Sequence, residues 1–250
     1  MSATVHPCHG LLLLPERAAF QAQTRTLWIA DPHFGKAASF RALGQPVPRG
    51  TTEETLRRLG ALVEAHGARR LVVLGDFLHG RAGRTQRLFT QLTEWRAARA
   101  ALDCVVVRGN HDAHAGDAPA ECGFVSVDEP FALDGVEGWH HAPAPLGAEG
   151  PVVLSGHIHP VARLSGPGRD RLRLPCFCLR GREIVLPAFG AFTGGHPVEP
   201  RHWRELVVTT GTHLFAIPAG PRILRRGAQA LRSGHDDDPL AKRHRRDRDP

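Results

Sequence analysis

Four short apolar runs, each ending abruptly in carboxylate, amide or imidazole side chains, set the tightest limit on what this chain can fold into. "TLWIA" (26–30) runs into Asp31-Pro32-His33, and "RLVVLG" (70–75) runs into Asp76. "DCVVVRG" (103–109) runs into Asn110-His111-Asp112, and "PVVLSG" (151–156) runs into His157-Ile158-His159. Near-continuous Val and Leu suit strands covered on both faces. Two helical stretches separate the first three runs. "TTEETLRRLGALVEAHG" (51–67) carries a Thr cap, early acids and a closing glycine, with Leu56, Leu59 and Val63 along one face. "TQRLFTQLTEWRAARAAL" (85–102) repeats the pattern with Leu88, Leu92 and Trp95. The alternation predicts α/β architecture. In open α/β sheets ligands gather beyond the carboxyl ends of the strands, so the four polar clusters are expected to converge on one site.

After residue 120 the texture changes to short segments broken by Gly and Pro, such as "RLRLPCFCLR" and "REIVLPAFG". These predict a second, more antiparallel sheet. Two sheets packed face to face with helices outside would make one sandwich, and 250 residues at 42% hydrophobic content can bury its core. Residues 1–224 read as a single domain. The tail 225–250 holds eight Lys or Arg against five Asp and almost no apolar residues, so it is expected to be disordered. The leucines of "MSATVHPCHGLLLLPER" form too short a run for a signal peptide or a membrane span. Five cysteines without a C-x-x-C pair read as reduced thiols in a cytoplasmic protein. Net charge is +7, and 30 of the 32 cations are arginine. A polyanion partner fits this excess, and so does a GC-rich genome.

Imidazoles, carboxylates and one amide oxygen form a mixed N/O donor set, suited to Mn, Fe, Zn, Co or Ni and not to calcium. So many donors fit two ions better than one, with one aspartate bridging, and paired ions are a known solution for phosphoryl chemistry. Two divalent ions with two anionic ligands keep net positive charge, which would draw an anionic phosphate ester.

Asp31/His33, Gly75-Asp76, Gly109-Asn110-His111-Asp112, His141 and Gly156-His157-Ile158-His159, in that order, resemble the calcineurin-like metallophosphoesterase superfamily. "DPHFGKAASFRALGQPVPRGTTEETLRRL", "GHIHPVARL" and "LPCFCLRGREIVLPAFGAFTGG" further resemble the bacterial ligase-associated DNA damage response endonucleases. The resemblance implies a four-layer α/β/β/α sandwich and two divalent metal ions, Mn2+ first and Zn2+, Fe2+, Co2+ or Ni2+ as alternatives. It implies an endonuclease hydrolysing phosphodiester bonds in single-stranded or damaged DNA with a metal-bound hydroxide. Its partners would be an ATP-dependent DNA ligase and a helicase in DNA repair, with no membrane association. By the same resemblance Asp31, His33 and His159 hold the first metal, Asp76 bridges, and Asn110, His141 and His157 hold the second. His111 steadies a phosphate oxygen or protonates the leaving oxygen, and Asp112 orients His111.

Some positions stay open. "GWHHAPAP" offers two adjacent histidines, and the H-x-P pattern of relatives favours His141 over His140. His79 stands where many relatives have an aspartate, which argues against the Ser/Thr protein phosphatase branch. Lys36, one of only two lysines, could contact phosphate or face solvent. Arg108 could touch substrate, although pairing with a nearby carboxylate fits better. Phe189 and Phe192 read as core residues. A phosphatase or phosphodiesterase for nucleotides or other small esters is the rival enzyme, and a non-catalytic scaffold the rival outside catalysis.

Overall fold

The computed structural model describes residues 2–143, 149–165 and 171–218. The acidic and basic tail expected to be disordered lies outside the described residues. Within them, a seven-stranded sheet runs in chain order from His6–Cys8 through Leu11–Leu14, Ala18–Gln21, Thr26–Ala30, Arg70–Leu74 and Asp103–Val107 to Val125–Val127. The first strands form an antiparallel meander, and the pairing turns parallel from Thr26–Ala30 onward. The crossovers carry helices α1 (Lys36–Ala42), α2 (Thr51–His66) and α3 (Gln86–Ala97), and a short α4 (Asn110–Ala115) follows the strand Asp103–Val107.

The period-two geometry of a strand sorts each apolar run onto two faces. Leu27, Ile29, Leu71, Val73 and Val106 pack against Leu59 and Val63 of α2 and Leu88, Leu92 and Trp95 of α3. Trp28, Ala30, Val72, Leu74, Val105 and Val107 face the other way. There they meet Leu154, Phe177, Leu179, Ile184 and Val207 of a second, ten-stranded sheet. Helices, sheet and sheet thus stack as the sequence predicts. The outer face of the second sheet buries Cys176, Cys178, Val185, Leu206 and Val208. Among the described residues it is covered by Ala162, Leu164, Val198 and Trp203, next to the single helical turn Pro200–His202.

Two details depart from the simplest expectation. Strand Val152–Ser155 sits in the second sheet, parallel to both its neighbours, while the rest of that sheet is mainly antiparallel. The four polar clusters therefore meet at a seam between two sheets. The α3 helix ends at Ala97, before the stretch read as helical runs out at 102. Leu102 instead caps the helix-bearing core at the start of the next strand. All five cysteines are free and buried, and no described helix is long and apolar enough to cross a membrane.

Leu92 is fully buried between α3 and the first sheet. Leu92→Ala should cost about 2–5 kcal/mol, read as an earlier midpoint in urea unfolding of the metal-loaded protein.

Candidate metal centre

At each strand end the chain bends sharply to bring polar side chains to the seam. Nine non-glycine residues among those described have positive φ, and five of them are Asp31 (50°), His33 (46°), Asp76 (50°), His157 (69°) and His159 (47°). Left-handed backbone costs an ordinary residue roughly 1–2 kcal/mol, so this clustering marks a place where geometry is held against local preference. The surroundings hold it with main-chain bonds. The His33 amide donates to the Asp76 carbonyl (2.9 Å), Phe34 to Phe77 (2.8 Å) and Phe189 to Ala30 (2.7 Å). Glycines supply the remaining room. A Cβ on Gly109 would lie 2.5 Å from both the amide nitrogen and Oδ1 of Asp76, and one on Gly75 would strike the His140 ring.

Two donor sets result, sharing one carboxylate. Asp31, His33, Asp76 and His159 offer ligand atoms that all lie within 4.8 Å of one another. His33 Nε2 stands 3.2 Å from His159 Nε2 and 3.5 Å from Asp76 Oδ2, and His159 Nε2 is 3.6 Å from Asp31 Oδ2. On the other side His140 Nε2 lies 3.4 Å from Asp76 Oδ1, 2.9 Å from Asn110 Oδ1 and 3.2 Å from His157 Nδ1. Asp76 thus turns one oxygen to each set. A third group of imidazoles, His33, His79 and His111, brings no carboxylate, and the Nδ1 atoms of His33 and His79 face each other at 3.2 Å.

The residues fit a pair of divalent ions. Asp31 Oδ1 is buried with no hydrogen-bond partner, an expensive arrangement unless a cation answers it. The imidazoles are held neutral, as ligands must be. Burial, reinforced by His159 and Lys36, pushes His33 far below the ordinary histidine range, and burial also lowers His157. Tautomers follow from the outer contacts. His140 Nδ1 donates to the Leu74 carbonyl (3.2 Å), leaving the Nε2 lone pair for the seam. His33 presents Nε2 in the same way, with its Nδ1 against His79.

The seam brings together Asp31, His33, Asp76, Asn110, His111, His157 and His159, and it corrects three expectations. His140, wholly buried, is the ring that faces Asn110 and Asp76. His141, favoured from sequence, is half exposed at the rim, with Nδ1 3.1 Å from Glu129 Oε1. Asp112 does not orient the His111 ring. Its buried carboxylate accepts the amides of Phe77 (3.2 Å), Leu78 (2.9 Å) and Gly109 (3.0 Å), and burial outweighs those donors to raise its pKa. Arg108 is committed to Asp117 and Asp128, both at 2.8 Å, and these partners raise its pKa further.

His111 Nδ1 donates instead to the His79 carbonyl (2.7 Å), and the two rings stack at 4.9 Å. Burial, with Lys36 and His111 nearby, pushes His79 down to about 4. Lys36 stays beside the seam, its pKa lowered by burial and partly restored by Asp76. Glu129 escaped the sequence reading altogether. It accepts the amides of His140 (2.7 Å) and His141 (3.0 Å) and so fixes the loop that carries both. Burial would raise its carboxyl, but these bonds and the His141 ring hold it below the ordinary range.

The two histidines can be separated by metal content. His140→Ala should lose at least one ion per chain by mass spectrometry of the purified protein, while His141→Ala should keep both. The reverse pattern would restore His141 as the ligand.

Comparison with known proteins agrees with this geometry. A family model for calcineurin-like phosphoesterases matches residues 24–139, which carry every cluster except the last. The crystal structure of Pseudomonas putida nuclease MPE is similar at 38% identity and a TM-score of 0.72, covering 85% of this chain and 100% of that one. Yfce, a phosphoesterase from E. coli, shows 18% identity over 78% of this chain and 99% of that one, at a TM-score of 0.38 too low to carry an argument. No curated protein matches the chain. The strand-end donors, the shared aspartate and the full-length likeness to a solved nuclease converge: the chain belongs to the calcineurin-like phosphoesterase family.

Proposed function

We propose that this chain is a manganese-dependent phosphodiesterase that cuts the backbone of DNA internally. The observation that carries the reading is the pair of donor sets sharing Asp76, with the His111 ring beside them. The likeness along its whole length to a nuclease supports nucleic acid over small esters. Two divalent ions bound there would supply Lewis acidity and lower the pKa of a coordinated water towards neutrality.

The chain's own residues do the rest. Asp76 Oδ1 accepts the His111 amide (2.9 Å), tying the shared carboxylate to the start of α4. With Nδ1 donating to the His79 carbonyl, His111 has Nε2 free and 4.0 Å from Asp76 Oδ2. A protonated Nε2 can give its proton to a leaving alkoxide or bind a phosphate oxygen. Asp112 clamps the loop after Asp76 to the start of α4, so the donor and the shared carboxylate move as one piece. The resemblance that points to DNA also places the chain in repair with an ATP-dependent ligase and a helicase. The free, buried cysteines fit a cytoplasmic setting.

A Mn-loaded assay on bis-p-nitrophenyl phosphate, p-nitrophenyl phosphate and circular single-stranded DNA tests the proposal. Diester hydrolysis together with nicking of the circle is expected; turnover of the monoester alone would sink it. Asp76→Asn should lose most activity and at least one ion. His111→Ala should keep both ions while DNA cleavage falls by roughly 10²–10⁴. Its loss on the p-nitrophenyl diester should be smaller, because that leaving group hardly needs a proton. Equal losses on both substrates would make His111 a binding residue and not a proton donor.

A further inference from the structure

Phe192 does not join the core as the sequence suggests. Phe189 is fully buried in the helix-bearing core, but Phe192 is half-buried outside all three core clusters. It meets Phe40 of α1 edge to face at 5.8 Å, and Phe40 in turn lies 6.0 Å from the His79 ring and 5.9 Å from the Lys36 ammonium. An aromatic pair left half open beside a metal centre buries little and offers a face.

The same place opens into a channel. A narrow neck lined by His33, Lys36, Thr51, Thr52 and Phe192 leads away from the first donor set. It shares Thr51 and Thr52 with a wider cleft of about 320 Å³ between α1, α2 and α3. Arg41, Arg49 and Arg87 line that cleft against a single carboxylate, Glu53. Arg87 pairs with Glu53 (2.6 Å) and Arg41 donates to the Pro48 carbonyl (3.3 Å), while among the described residues Arg49 pairs with no carboxylate. Three guanidiniums against one carboxylate leave two positive charges in a cleft joined to the centre.

We propose that this channel holds a single strand of nucleic acid on one side of the reacting phosphate, a base against Phe40 and Phe192 and a flanking phosphate among Arg41, Arg49 and Arg87. The inference rests on the nuclease reading and adds to it the strandedness and the path. Aromatic rings that stack bases, followed by cations that track the backbone, are how proteins hold single strands without reading sequence. A paired duplex keeps its base faces inside the stack and has none to offer the ring.

The test uses Mn-loaded full-length protein, with steady-state cleavage of a labelled single-stranded oligonucleotide, a blunt duplex and bis-p-nitrophenyl phosphate at several salt concentrations. Arg49→Ala/Arg87→Ala should raise KM for the single strand. It should also flatten the slope of log KM against log salt by about 0.7 for each phosphate that no longer meets a guanidinium. Phe192→Ala should cost roughly tenfold to a hundredfold on the single strand, the range expected when one base loses its stacking partner. Both losses should exceed those on the small diester by at least tenfold. Arg57→Ala, an exposed charge on α2 outside the channel, is the control for net charge. Thermal unfolding and metal content confirm that each variant is folded and loaded.

If the wild type hydrolyses the small diester but cuts no DNA, the nuclease reading fails and the channel with it. If the wild type cuts DNA and the variants keep its KM and salt slope, the channel alone is wrong. Losses as large on the blunt duplex as on the single strand would overturn the single-strand assignment.

Discussion

Asp31 ends a strand of the first sheet with its side chain wholly buried, and its Oδ2 accepts the amide of His157 (2.9 Å) at the end of a strand in the second sheet. That bond joins the two layers at the seam where every donor gathers. Without it, the set with His33 and His159 and the set with Asn110 and His140 would belong to separate edges. The main chain repeats the joint, since the amides of Phe189 and Gly190 return to the carbonyls of Ala30 and Asp31. Two rigid sheets can hold ligand atoms to a few tenths of an ångström only if their ends are fixed to each other, and this contact does so.

The arrangement is costly to the apoprotein. Five donor residues adopt left-handed backbone, one aspartate oxygen is buried without a partner, and several imidazoles crowd together in neutral form. Anything that binds the folded centre and not the unfolded chain repays that cost as stability. The centre and the core are therefore coupled, the long apolar strands holding the donors in place and bound cations relieving the strain at the strand ends.

Much of this could be read in the sequence because its signals are local. An apolar run followed by Asp, His or Asn, with Gly before the donor, requires only neighbouring residues to be recognised, and the strands and both long helices followed from their periods. What escaped depends on distant contacts. The choice between His140 and His141 is settled by which ring lies under the loop after Leu74, and adjacent positions in the chain carry no trace of that. Asp112 looks like a partner for its neighbour His111, yet its three donors come largely from the loop at Phe77 and Leu78. Glu129 sits eleven residues before His140, in a stretch with no recognisable pattern. The membership of Val152–Ser155 in the second sheet is likewise a matter of tertiary pairing, invisible in a Val-rich run that suits either sheet.

The glycines ahead of the donors have a consequence of their own. Gly75, Gly109 and Gly156 bind nothing, but the volume each leaves empty is filled by His140, by Asp76 or by the Asp31 carboxylate, which a Cβ on Gly156 would approach to 2.8 Å. Adding one methyl group at any of them displaces a donor from the side opposite the cation. In a genetic screen for inactive alleles, such changes would be indistinguishable from loss of a ligand, although no reactive group had been altered. The number of positions intolerant of change thus exceeds the number that touch an ion, and the surplus reflects the space the donors need.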